Sequence, residues 1–266
     1  MSALDYLMRL PLFAGLWLRF PVGPLEKRIE YGVVPRPHYA YGVFWAALTA
    51  RRLGTPRISV MEFGVAGGRG LLALESLAAE VESATGVGID VYGFDTGEGM
   101  PRPQDYRDLP HIWNQGFYKM DVAKLRARLT RAQLVLGDVA QTTTEWLRGE
   151  KRAPIGFIAF DLDYYSSTKA AFGIFGADHR QYLPRVYCYF DDVSSNDLGC
   201  MNEYVGELLA IREFNDAHPL RKIAKVERLR VNRSRWESWQ EKIFVLHDFE
   251  HPQYCQPVIT DDQIEL

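Results

Sequence analysis

Between residues 57 and 192, five short apolar runs all end in the same chemistry, a glycine turn or a carboxylate. "RISVMEFGV" runs into glycines with Glu62 just ahead of them, and "VGIDVYGFD" stops at Asp95. "AQLVLGD" stops at Asp138, "IGFIAFDLD" at Asp161 and Asp163, and "RVYCYFDD" at Asp191 and Asp192. Segments at helical period separate them, such as "RGLLALESLAAEVESA" after the first run and "SSTKAAFGIFG" after the fourth. Near-continuous apolar strands alternating with helices predict an α/β fold, a mostly parallel sheet with helices on both faces. Two further β-rich segments, "LRKIAKVERLRVN" and "QEKIFVLHDF", follow with no good helix between them and predict a closing antiparallel hairpin at a sheet edge.

That organisation already locates the chemistry. In open α/β sheets ligands bind beyond the carboxyl ends of the strands, near the point where strand order reverses. One acid at such a place is ordinarily a helix cap or a solvated loop residue. Acids at all five strand ends weaken that reading, because the topology brings them to one edge. Among the helices, Asp121 is the expected N-cap of "DVAKLRARLT", and Ser166 or Ser167 that of the helix after the fourth strand. Residues 1–56, with the helix-like "YAYGVFWAALTARRLG", read as an N-terminal cap or arm ahead of a domain over 57–266.

Composition removes several partner classes. A net charge of −3 with 24% charged and 47% hydrophobic residues describes an ordinary globular chain with no affinity for polyanions built in. The basic segment 221–235 alternates with Ile223, Val226, Leu229 and Val231, so it reads as a strand with a solvated face rather than a nucleic-acid site. Cys188, Cys200 and Cys255 are odd in number and lack zinc-like spacing, which favours a reduced, cytoplasmic setting. In that setting the glycosylation sequon "NRS" at 232–234 is without consequence. No run approaches the ~18 apolar residues of a membrane span. The apolar stretch "LMRLPLFAGLWLRFPVG" is broken by Pro11, Gly15 and Arg19 and lacks a small-residue cleavage site, so a signal peptide is not expected. Packing of this arm on the domain, or on a second subunit in a homodimer, is preferred over an interfacial membrane anchor.

"MEFGVAGGRG" places Gly64, Gly67, Gly68 and Gly70 between the first strand and its helix, more glycine than a tight turn needs. A dinucleotide fingerprint fits only over Gly68, Gly70 and Ala73, a register that starts too late. The register Glu62, Gly64, Gly68 starts at the strand end and sets an acid beside the loop. That acid repels phosphates and suits a ligand carrying a cationic or amino-acid group. Asp95 is placed to accept both hydroxyls of a ribose. Asp138, with Gly137 beside it, is placed either to meet an adenine amino group or to cap the next helix.

Taken in order, "EFGVAGGRG", "YGFDTGEGMP", "LVLGD", "FDLDYYSST" and "YFDDV" resemble the macrocin-type, metal-dependent sugar O-methyltransferases that act on macrolide and aminocoumarin glycosides. The resemblance covers roughly residues 57–205, and its specific part is the tandem of the last two motifs. It implies a Rossmann-like class I methyltransferase fold with a seven-stranded sheet, S-adenosylmethionine as methyl donor and Mg²⁺ as metal. By position it implies that Glu62, Gly64 and Gly68 flank the methionine part of the donor and that Asp95 holds its ribose. Asp161, Asp191 and Asp192 match the metal ligands, and Asp163 matches the general base. "DTGEGMP" departs from the family's D-S-F-x-G-L-P at Thr96 and Gly97, and residues 1–56 show no match.

The acids suit that chemistry. Carboxylate oxygens favour a hard cation such as Mg²⁺, and four of them converging with no cation would repel and raise one another's pKa. If strand geometry continues, Asp161 and Asp163 point to the same side. The long segment "GEGMPRPQDYRDLPHIWNQGFY" (97–118) reads as a lid over a small-molecule hydroxyl acceptor, a sugar or glycoside. Tyr106, His111, Trp113 and Tyr118 are its candidate contacts, and His111 is a second candidate base; Tyr164 and Tyr165 read as packing residues. The competing enzyme class is a nucleotide-sugar glycosyltransferase using D-x-D as its metal motif. It requires neither the glycine loop nor the second acid pair. A nicotinamide oxidoreductase fails on glycine register.

Overall fold

A computed structural model describes residues 11–149, 152–176, 178–194, 198–231 and 236–259. The five apolar runs become β1 (Arg57–Phe63), β2 (Gly88–Asp95), β3 (Gln133–Leu136), β4 (Ile155–Phe160) and β5 (Tyr182–Phe190), paired in parallel. The closing hairpin is β6 (Arg221–Lys225) and β7 (Ile243–Asp248), antiparallel to each other, with β7 also antiparallel to β5. Across the seven-stranded sheet the order is β3-β2-β1-β4-β5-β7-β6. Strand order therefore reverses between β1 and β4, and the crevice belongs there.

Side-chain alternation along the strands feeds two cores. Val60, Phe157 and Ala159 face one side, under helices α3 (Pro37–Arg52) and α4 (Arg69–Thr85), which follow α1 (Pro11–Arg19) and α2 (Leu25–Glu30). Met61, Phe63, Ile158 and Phe160 face the other, which also packs α7 (Tyr165–Ala171) and α8 (Gly206–Ala217). Between these two pairs of helices in the chain come α5 (Val122–Arg126) and α6 (Val139–Arg148), whose Trp146 joins the second core.

The expected N-terminal cap divides into parts with different roles. Helix α3 buries Ala40, Val43, Ala46, Ala47 and Ala50 completely and is a wall of the first core. Gly42 allows this approach: a Cβ there would lie 2.3 Å from the ring of Phe157. Helix α1 packs more lightly, with Ala14 buried against Tyr31 and Val33 while Leu16, Leu18 and, just past its end, Phe20 are exposed. The first ten residues of the arm lie outside the described residues. Among the described residues, no helix is long and apolar enough to cross a membrane.

Two local expectations are corrected. The basic alternation ends as a strand at Lys225: after the Val226 N–H bonds the Ile243 carbonyl of β7 at 2.9 Å, the chain leaves the sheet through turns over 227–230; Leu229 is then buried off the sheet and Val231 is exposed. The sequon at 232–234 lies outside the described residues. Asp121 caps α5 as expected, accepting from the Lys124 N–H at 3.0 Å. Neither Ser166 nor Ser167 caps α7, which starts at Tyr165 with Tyr164 at its N-cap. Asp108, from the 97–118 segment, supplies the missing acceptor instead: it takes the Ser166 N–H at 2.8 Å and the Ser166 hydroxyl at 2.9 Å.

Candidate active site

Four phenylalanines occupy matched register at the ends of the central strands: Phe94 of β2, Phe63 of β1, Phe160 of β4 and Phe190 of β5. Their rings stack in a row, with centroids 4.6, 5.5 and 4.7 Å apart. Each such contact contributes about 0.5–1.5 kcal/mol beyond the area it buries, so the strand ends are held level. Side chains alternate along a strand. The residue after each ring is Asp95, Gly64, Asp161 or Asp191, and all four line one cavity of about 630 Å³.

Gly64 has φ +86°, and a Cβ there would meet the Asp161 carbonyl oxygen at 1.7 Å. Only glycine lets the end of β1 lie this close to the end of β4. Asp95 staples the loop: Oδ2 accepts the Ala66 N–H at 2.8 Å and Oδ1 the Gly97 N–H at 2.7 Å. Each of its oxygens keeps a second lone pair. Asp138 caps α6 by accepting the Ala140 N–H at 2.8 Å, and with Gly137 it also lines the cavity. Of the two readings of Asp138, the structure shows the cap.

Glu62 and Gly68 do not line the cavity. Gly68, at φ +81°, starts α4 and packs on Leu125. Glu62 is only 2% exposed; its Oε1 accepts the Tyr39 hydroxyl at 2.6 Å, and its Oε2 has no partner among the described residues. The absent Cβ of Gly70 makes room for it. Burial, partly offset by the Tyr39 hydrogen bond, pushes the Glu62 carboxyl up to about 7. Glu62 supports the glycine loop from beneath.

Asp161, Asp191 and Asp192 bring carboxylate oxygens within 4.8 Å of one another. Asp163 stands outside that group although it lines the same cavity. Strand geometry stops at Phe160, and Asp163 adopts φ +59°, so its direction is set by a turn and not by strand alternation. Burial, reinforced by the carboxylates of Asp192 and Asp191, holds the Asp161 carboxyl well above the usual range. Burial and the carboxylates of Asp161 and Asp191 raise Asp163 to about 7. At Asp191 burial also pushes upward, but the Tyr189 hydroxyl and the Lys242 ammonium, the latter 3.1 Å from Oδ1, outweigh it and leave the pKa lowered. The cluster thus combines an oxygen-only donor set, close approach and burial, which fits a hard divalent cation.

A fifth carboxylate, absent from the sequence reading, lies beneath. Glu207 is fully buried; its Oε2 accepts the Asp192 N–H at 2.9 Å, and its Oε1 has no partner among the described residues. Its sequence signal is an acid on the apolar stripe Glu207, Ala210, Ile211, Phe214 at helical spacing.

The 97–118 segment forms the opposite wall through Met100, Pro101, Arg102, Gln104, Trp113 and Tyr118. Of the expected contacts, Trp113 and Tyr118 reach the cavity, while Tyr106 and His111 are exposed and do not line it. Tyr118 holds φ +59°; burial and then the carboxylates of Asp163, Asp192, Asp161 and Asp191 raise its phenol pKa. Tyr164 is buried with its hydroxyl on the Pro101 carbonyl at 3.3 Å, a packing role as expected.

No protein-family model and no curated protein matches the sequence. Among solved structures, the chain is similar to CalS11, a calicheamicin methyltransferase, with 21% identity over 93% of each chain and a TM-score of 0.53. It is also similar to the O-methyltransferase NovP, with 13% identity over 79% of each chain and a TM-score of 0.51. The sheet order, the closing hairpin and these likenesses together give the chain the Rossmann-like class I methyltransferase fold.

Proposed function

We propose that this chain is a Mg²⁺-dependent O-methyltransferase that moves the methyl group of S-adenosylmethionine to a hydroxyl of a sugar or other small-molecule acceptor. The observation that carries the reading is the convergence of Asp161, Asp191 and Asp192 in the same cavity as Gly64, Asp95 and Asp138. A cation site and a nucleoside-sized cradle then share one space. The fold likeness to a calicheamicin methyltransferase supports a natural-product acceptor.

In this reading Gly64 and Ala66 let the donor's methionine end approach the main chain, with Glu62 and Gly68 shaping the loop from behind. Asp95 receives the ribose hydroxyls with its remaining lone pairs, and Gly137 and Asp138 meet the adenine. Asp161, Asp191 and Asp192 hold the cation, which when bound supplies the positive charge that orients and acidifies acceptor hydroxyls. Asp163, buried in the same cavity but outside the ligand-spaced group, takes the hydroxyl proton as general base. Trp113 and Tyr118 stack on the acceptor, and the 97–118 wall keeps water from the sulfonium. Three unbridged cysteines agree with a cytoplasmic setting.

In the glycosyltransferase reading Asp161 and Asp163 act together on the metal. The ligand-spaced group here joins Asp161 to Asp191 and Asp192 and omits Asp163. Calorimetry with S-adenosylhomocysteine, a UDP-sugar and NAD, each with and without Mg²⁺, tests the proposal. The expected result is binding of S-adenosylhomocysteine alone; binding of the UDP-sugar in its place would overturn it.

A further inference from the structure

Glu207 is fully buried, yet one of its carboxylate oxygens has no hydrogen-bond partner among the described residues. A group that only filled space at the start of α8 would cost less as an apolar residue, like Ala210, Ile211 and Phe214 on the same stripe. What the acid does hold is the main chain of the neighbouring acid pair. Its Oε2 accepts the Asp192 N–H at 2.9 Å, and the Asp192 Oδ2 in turn accepts the Asp163 N–H at 3.0 Å. Both anchored residues are off strand geometry, Asp192 at φ −102° and ψ 21° and Asp163 at φ +59°. The left-handed conformation at Asp163 is uncommon for a residue that carries a side chain.

We propose that Glu207 is the positioning residue of the acid cage: it fixes the main chain of Asp192 by hydrogen bonding and, through the Asp192 carboxylate, the main chain of Asp163. The metal-affinity half of this inference rests on the function proposed above; the hydrogen-bond relay does not. The cage is thereby set from below before any ligand enters, and both acid pairs move as one unit.

The test compares Glu207→Gln, which keeps a carbonyl acceptor, with Glu207→Leu, which removes it while filling the space. Hydrogen–deuterium exchange on metal-free protein is read over 161–165 and 190–194, alongside Mn²⁺ and S-adenosylhomocysteine titrations. Glu207→Leu is expected to speed exchange in both segments about tenfold and to weaken Mn²⁺ binding by roughly 10–100-fold, the usual effect of losing a group that orients a ligand. Glu207→Gln should stay near wild type in both, and S-adenosylhomocysteine affinity should be unchanged throughout. Unchanged exchange in Glu207→Leu overturns the proposal. So does a Gln variant as damaged as the Leu variant, which would make the charge the active feature. Parallel loss of S-adenosylhomocysteine binding would also overturn it, by showing a general structural role. If Glu207→Leu does not fold, Glu207→Ala carries the same comparison. Wild-type protein that binds no Mn²⁺ would remove the metal reading, and exchange alone would then decide the relay.

Discussion

The main-chain N–H of Asp163 donates to Oδ2 of Asp192 across 3.0 Å, tying the acid pair after β4 to the acid pair after β5. The bond separates the two acids of D-x-D. Asp161 joins Asp191 and Asp192 through its carboxylate, whereas Asp163 is held by its backbone and keeps its own carboxylate outside that group.

The roles of these acids can be separated by substitution. Asp163→Asn preserves the backbone donor, and asparagine tolerates the left-handed conformation. Calorimetric affinities for Mg²⁺ and S-adenosylhomocysteine should therefore stay within a few-fold of wild type, while methyl transfer falls by about 10²–10⁴, the usual contribution of a general base. Asp191→Ala should weaken Mg²⁺ binding first. Equal loss of metal affinity in the two variants would refute the division.

How much of this was legible follows from which residues act locally. The five acidic strand ends could be read from apolar runs alone, because each acid lies at the end of its strand or within three residues of it. The phenylalanine row was present as F-D, F-G, F-D and F-D, but its meaning needs the register that aligns Phe63 with Phe94 and Phe160. The turn at Asp163 was not legible, since it depends on Asp192, 29 residues away. Nor was the capping of α7 by Asp108, a contact across 58 residues. Helix α3 looked peripheral because its small residues give little apolar signal, yet those residues let it lie flat on the sheet.

Two glycines with similar backbones should respond differently to alanine. Gly64 and Gly86 have φ of +86° and +74°, but a Cβ at Gly86 meets nothing within 4 Å. Gly86→Ala should cost only the left-handed penalty, about 1–2 kcal/mol. Gly64→Ala adds a collision with the Asp161 backbone and should exceed about 4 kcal/mol or prevent folding. Urea unfolding checks the pair; similar midpoints would contradict the close packing of β1 and β4.

Asp108 should behave as a structural pin of the 97–118 wall. It is fully buried and takes the Gln104 N–H at 2.8 Å as well as both Ser166 donors. Asp108→Ala strands those donors and should cost about 3–5 kcal/mol, as removal of one side of a buried polar network does. Limited proteolysis should then cut first within 97–118. An Ala variant as stable and as resistant as wild type would show that the wall is held elsewhere.

Glu62 should impose a pH dependence that one substitution removes. Burial raises its carboxyl from an ordinary value of 4.5 to about 7. Between those values the folded protein keeps a proton that the unfolded chain releases, so stability falls as pH rises through the window and levels off above about 7. A gap of roughly 2.5 units corresponds to about 3 kcal/mol. Glu62→Gln leaves a carbonyl oxygen for the Tyr39 hydroxyl and removes the ionisation. Its stability relative to wild type should therefore be near zero difference at pH 4.5 and rise to an advantage of about 3 kcal/mol at pH 7 and above. Denaturant unfolding at pH 4.5, 5.5, 6.5 and 7.5, without donor or divalent cation, measures it. Parallel pH profiles for the two proteins would mean that Glu62 ionises in the folded state as it does in the unfolded chain.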